Sequence, residues 1–211
     1  MHVTRLDISN LRCLRAVSLA PSPAINVLVG ENGAGKTSVL EALHLMAYGR
    51  SFRGRVGDGL VKVGQAGLEV FVEWEPIRGP TRRAGMHHSG QAWEGRLDGE
   101  SVSQIGELCA ALAVVTFEPG SHALVSGGGE PRRRFMDWGL FHVEQAFLPY
   151  WRRYARALKQ RNALLKGRAN TSQLDSWDHE LAEAGEAVTG WRQAYLDRWQ
   201  PWLQAVSQDL A

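Results

Sequence analysis

The sequence predicts an α/β fold in two parts. A mixed sheet wrapped around a glycine-rich loop is expected over residues 1–131, and an α-helical lobe containing a long antiparallel hairpin over 132–211. Short apolar runs separated by turn residues fill the first part. Glycine becomes scarce after Gly127-Gly128-Gly129, and apolar residues then recur at helical spacing to the end.

The elements follow in order. Residues 3–8 alternate apolar and polar side chains, and 25–29 (INVLV) form an apolar run entering the glycine loop, so both read as strands. Residues 38–48, with Leu40, Leu43 and Ala47 on one stripe, read as the helix that follows. Further strands are expected at 60–63, 68–74, 84–88, 92–97 and 113–117, with turns at 64–67, Gly79-Pro80 and Asp98-Gly99. In the second part, Leu148, Trp151, Ala155, Leu158, Asn162 and Leu165 make one stripe. Leu174, Trp177, Leu181, Ala184, Val188, Trp191 and Tyr195 make another. A polar break at 166–171 separates them, with Thr171 or Ser172 as the cap of the second helix. Trp151, Trp177 and Trp191 are expected in the seam between the helices, as core rather than as platforms for stacked bases.

Composition narrows the class. The chain has 211 residues, 44% hydrophobic and 22% charged, which excludes a disordered, collagen-like or disulfide-scaffold protein. No run approaches the roughly 18 to 20 apolar residues of a membrane span, and the first 19 residues carry charges where a signal peptide is apolar. A soluble, unexported, cytoplasmic protein is expected. Cys13 and Cys109 have no metal-like or redox-like spacing and read as structural thiols. His87, His88 and His122 lack partners at ligand spacing.

One motif carries chemistry. Gly30-Glu31-Asn32-Gly33-Ala34-Gly35-Lys36-Thr37 fits G-x-x-x-x-G-K-[ST] without a mismatch, between an expected strand and an expected helix. Its glycines let the backbone curl so that N–H groups point at phosphate oxygens, beside the positive end of a helix. Lys36 would reach the β- and γ-phosphates of ATP, Thr37 would place its hydroxyl on Mg2+, and Ser38 opens the helix beside it. No T/N-K-x-D guanine-reading element is present, and no apolar run ends in Asp or Asp-Glu; 111–118 (ALAVVTFE) comes nearest and reads as a plain strand. Residues 125–130 (VSGGGE) imitate an LSGGQ signature, but no acidic strand follows, so a loop is expected there.

Three separated segments resemble the RecF family: VGENGAGKTSVLEALHLMAYGRSFR (29–53), FEPGSHALVSGGGEPRRRFMDWGLF (117–141) and YARALKQRNALLKG (154–167). RecF proteins are bacterial recombination mediators with an ABC-type ATPase head similar to those of Rad50 and the SMC proteins. The resemblance implies a P-loop ABC-type ATPase lobe, ATP and Mg2+ as ligands, ATP-dependent homodimerisation and weak DNA-stimulated hydrolysis. It also implies roles in DNA replication, repair and the SOS response, with binding at gapped DNA and recombinase loading with RecO and RecR. Family members are longer, and their signature and acidic metal-binding motifs lie in a last third that this chain lacks. The expectation is therefore an N-terminal fragment with an incomplete sheet, unable to hydrolyse ATP alone. A small-molecule or nucleotide kinase using the same loop is the alternative, disfavoured by the long hairpin and the missing second acidic motif. The other is a purely helical interaction module.

Charge is distributed unevenly behind a formal total of +2. Residues 132–168 carry 10 basic and 2 acidic side chains, whereas 169–211 carry 2 and 7. Either the two stretches pair as facing helices, or the first offers its charge to an anionic partner. Arg132, Arg133 and Arg134 follow Pro131. Arg152, Arg153, Arg156, Lys159, Arg161, Lys166 and Arg168 follow on one helix, where Arg152, Arg156 and Lys159 share a face. With the family resemblance, these three and the arginine triplet are the candidate DNA contacts. Arg50, Arg53 and Arg55 form a second candidate patch near the nucleotide.

Overall fold

The computed structural model describes residues 1–55, 59–167 and 171–210, apart from the side chains of Pro119, Thr171 and Gln173. Arg168, and most of the break expected before the second hairpin helix, lie outside the described residues. The chain divides into two compact units, residues 1–116 and 117–211.

The first unit is built on β1 (His2–Ser9), β2 (Ala16–Leu19), β3 (Leu68–Glu75), β4 (Arg82–His88), β5 (Trp93–Leu97) and β6 (Glu100–Ser101). They form one open antiparallel sheet in the order β2-β1-β3-β4-β5-β6. Register sends alternate residues to one face: Leu6 lies opposite Val72, Ile8 opposite Val70, and Val70 in turn opposite Met86. Those residues, with Trp74 and Ala84, are buried with Val39, Ala42, Leu45 and Met46 of α1 (Lys36–Tyr48) and Leu108 of α2 (Ile105–Ala111). The other face carries Arg5, Glu69, Glu73, Arg83, Glu94 and Arg96. Asp98 and Gly99 both have positive φ, 53° and 97°, the geometry a two-residue hairpin needs between β5 and β6.

Three expected strands are not formed. Residues 25–29 and 113–117 are without regular structure, and residues 60–63 contribute only one bridge, Leu11 to Val61. A strand needs a neighbour for its N–H and C=O groups. Among the described residues none pairs with 25–29 or 113–117, and Ile25, Val27, Val29 and Phe117 are left exposed. The stripe expected on α1 is met only in part: Ala47 is buried and Leu43 packs against the core, but Leu40 turns outward. Leu40 is exposed and Leu43 half-buried, while Ser38, Val39, Glu41, Ala42, Leu45 and Met46 face the core. The outward turn of Leu40 places it on the same open side as Val27, where both line one cleft.

The second unit is helical. A 3-10 turn (Pro119–His122) leads to α3 (Ala123–Ser126), α4 (Gly129–Val143), α5 (Phe147–Lys166) and α6 (Thr171–Leu210). The loop expected over 125–130 is shorter than expected: only Gly127 and Gly128 separate α3 from α4. Helices α5 and α6 form the expected hairpin, and the stripe on α6 falls where spacing placed it, with Ala184 and Val188 buried. On α5 the inward stripe is shifted by one residue, to Phe147, Tyr150, Tyr154, Ala157, Arg161 and Leu164. The shift places Phe147 in the core with Tyr150 and Tyr154 packed against it, and leaves Trp151 exposed. Trp191 packs edge-on against Phe147 and Tyr150, with centroids 6.1 and 5.2 Å away. Trp177 is half-buried, but Trp151 leaves the seam, and its indole N–H donates to Asp137 Oδ2 at 3.0 Å.

Candidate nucleotide-binding site and basic surface

The loop at 30–38 has the backbone that its glycines permit. Gly33 and Gly35 have φ of 86° and 98°, and Gly35, in the left-handed region, is the N-cap just before α1. The loop turns on the Ala34 N–H to Glu31 carbonyl bond at 3.2 Å, and the first helical bond runs from Val39 N to Gly35 O at 3.0 Å. Among the described residues nothing accepts from the N–H groups of Gly33, Gly35, Lys36, Thr37 or Ser38. These are the donors that a helix start leaves for an anion. The left-handed φ of Gly35 favours glycine, and a Cβ there would also crowd Leu14 Cδ2 at 2.4 Å.

Residues 30–34 and Thr37 are exposed, Lys36 is half-exposed and Ser38 is buried. Lys36 folds over the loop, its ammonium donating to the carbonyls of Gly30 at 2.7 Å and Glu31 at 2.8 Å. Lys36 and Thr37 also line an open cleft of about 740 Å³ whose walls include Leu19, Val27 and Leu40. The donor set fits a polyphosphate. The exposed Thr37 hydroxyl fits a Mg2+ ion that takes its other ligands from phosphate and water. Among the described residues no cluster of three or more His, Cys, Asp or Glu side chains is arranged to hold a metal.

Below the loop lies a group that sequence reasoning missed. Glu41 has no exposed side-chain surface, and the Arg12 guanidinium donates to it from Nε at 3.2 and 3.3 Å and from Nη2 at 2.8 Å. The Ser51 hydroxyl also donates to Glu41, and Arg53 Nη1 stands 3.7 Å away. The signal was a charge on the helix face shared by Ser38, Ala42 and Leu45. Of the expected arginine patch, Arg53 thus stands by this carboxylate, and Arg50 acts on His44. Burial first, and the Arg50 charge second, hold that imidazole down at about 4, and its Nδ1 lies 3.0 Å from the Thr116 hydroxyl.

In the second unit the basic side chains sort into two groups. Arg153 donates to Glu180 and Glu183 at 2.8 to 3.1 Å, and Arg161 pairs with Asp178, so both face the acidic helix α6. Arg152, Arg156 and Lys159 are exposed, with the Arg156 guanidinium 5.9 Å from the centre of the Trp177 ring. The triplet is engaged within the chain. Arg132 donates to the carbonyls of Leu124 and Gly127, and Arg133 and Arg134 pair with Glu130.

A phosphate loop opening a helix that packs on an antiparallel sheet, followed by a helical lobe, is the layout of an ABC-type ATPase head. In agreement, the head domain of Smc from Pyrococcus furiosus matches 98% of this chain and 63% of its own at a TM-score of 0.59 and 14% identity. The recombination mediator RecF of the RecFOR pathway, in a structure described as RecF-ATPrS, matches 93% of this chain and 54% of its own at a TM-score of 0.84 and 24% identity. A family model described as an AAA domain matches residues 5–70. The chain is 66% identical over its whole length to the DNA replication and repair protein RecF of Stenotrophomonas maltophilia, and 67% identical to that of Xanthomonas axonopodis. It belongs to the RecF family, as its N-terminal part, and spans 58–59% of the length of these relatives.

Proposed function

We propose that this chain carries the ATP-binding half of a RecF-type recombination mediator. The observation that carries the reading is the curl of unpaired N–H groups at 33–38 with the Lys36 ammonium folded over it. With ATP bound, Lys36 would exchange the carbonyls of Gly30 and Glu31 for phosphate oxygens, the N–H groups would donate to further phosphate oxygens, and the Thr37 hydroxyl would supply one ligand to Mg2+. In the whole protein, ATP would join two such heads around DNA near a single-strand gap, with RecO and RecR as partners in loading recombinase. The exposed side of α5, with Arg152, Arg156 and Lys159, is the surface suited to phosphate contacts that ignore sequence. We also infer that strand partners for 25–29 and 113–117 belong to the part of the relatives this chain does not span; the exposed Ile25, Val27 and Val29 support that reading.

Equilibrium dialysis with ATP and Mg2+ tests the loop. Lys36→Ala is expected to weaken binding by at least about a hundredfold, since it removes a charge-assisted hydrogen bond to phosphate. Equal binding by variant and parent would remove the loop from the site.

A further inference from the structure

Glu41 stands on α1 five residues after Lys36, and no part of its side chain reaches solvent. An ionised carboxylate persists in such a place only if it is paired and fully hydrogen-bonded. Its partners come from two other segments. One is the turn between β1 and β2, where Arg12 adopts a φ of 53° and its N–H bonds to Leu60 O at 2.9 Å. The other follows α1, where the Ser51 hydroxyl bonds Glu41 and accepts from the Arg53 N–H at 2.9 Å.

The turn held by Arg12 is also the floor of the phosphate loop. The two residues after Arg12 are those that lie under Gly35: a Cβ on Gly35 would meet Leu14 at 2.4 Å and Cys13 Sγ at 3.2 Å. The left-handed conformation of Gly35, which aims the free N–H groups, therefore rests on a turn that Glu41 clamps from within. We propose that Glu41 is a positioning residue of the nucleotide site: through the Arg12 fork it fixes the 10–14 turn against Gly35 and so holds the loop in its phosphate-accepting shape. The inference rests on the reading of 30–38 as the ATP site. Glu41 touches no ligand and acts through Arg12, so it differs in kind from Lys36 and Thr37.

Hydrogen exchange resolved by segment, together with ATP affinity, tests this in the whole chain. The variants are Glu41→Gln and the double variant Arg12→Met/Glu41→Met. The second leaves no buried unpaired charge and so protects the test against simple unfolding. In both, the bonded N–H groups of Arg12, Leu14 and Val39 are expected to exchange about tenfold faster, while those of the β3–β4 ladder are unchanged, since only the local opening becomes easier. ATP binding is expected to weaken about tenfold in parallel. Unchanged exchange at 12–14 and 39 overturns the proposal. Equal acceleration in β3 and β4 does so too, because it marks general loosening, as does faster local exchange with ATP affinity intact. If the parent chain binds no ATP, the nucleotide reading fails on its own, and the exchange pattern still decides whether Glu41 sets the loop.

Discussion

The two units differ in the size of their apolar cores and in where their best-buried carboxylate lies. In the sheet unit the decisive carboxylate, Glu41, lies wholly inside, beneath a continuous apolar core running from Leu6 and Ile8 through Leu45 to Trp74. In the helical unit the buried core is small, Leu140, Phe147 and Val188 with an aromatic surround, and ion pairs at the surface line the hairpin. Apolar burial is not weakened by charge screening, whereas exposed ion pairs are. The glycine loop therefore sits on the unit with the larger apolar core, and the candidate DNA surface on the unit with the smaller one.

The sharpest way to break that contrast is to empty the sheet core. Trp74 is 1% exposed, and Trp74→Ala is expected to cost about 3–5 kcal/mol, measured by urea unfolding of the first unit's signal. A cost near that of a surface substitution would mean that the core is not what carries this unit.

What the sequence made legible follows the range of the interactions involved. The glycine curl at 30–35, the Asp98-Gly99 turn and the helical hairpin depend on neighbours within a few residues, and each appears at its expected place. Residues 25–29 have the composition of a strand but not its pairing, because a ladder depends on a remote partner. The α5 stripe missed by one residue because Trp151 and Tyr150 are both plausible seam residues. The choice was made by α6, where Gly185 leaves room beside the Tyr154 ring and Asp178, Glu180 and Glu183 await Arg161 and Arg153. Glu41 was hidden for the same reason, its meaning residing in Arg12, 29 positions away.

A milder test uses acid. His44 is buried with its pKa lowered from 6.5 to about 4, so the fold favours the neutral ring. Its contribution is complete above about pH 6.5 and is lost as pH falls through that value toward 4, because the unfolded chain takes up the proton first. The loss by pH 4 is on the order of 3 kcal/mol, and His44→Gln should flatten the stability profile over that window. An unchanged slope would place the acid sensitivity elsewhere.

The smallest effects on stability are expected along α5, and there the comparison can be sharpened within one helix. Arg153 hydrogen-bonds Glu180, which holds the guanidinium well above its usual range and the Glu180 carboxyl below its own. Arg156 and Lys159 form no ion pair among the described residues. Arg153→Gln should therefore lower thermal stability slightly at low salt and not at all at high salt, since exposed pairs are worth little and are screened. The triple variant Arg152→Gln/Arg156→Gln/Lys159→Gln should lower melting only slightly, through loss of contacts such as that of Arg156 with the Trp177 ring. If that side meets DNA, it should instead flatten the dependence of log affinity on log salt by about 2 to 3, roughly one for each phosphate no longer neutralised. An equal drop in DNA affinity on replacing Arg153 would mean that the pair with α6 opens on binding. The division of α5 into a structural side and an offered side would then be a property of the free chain only.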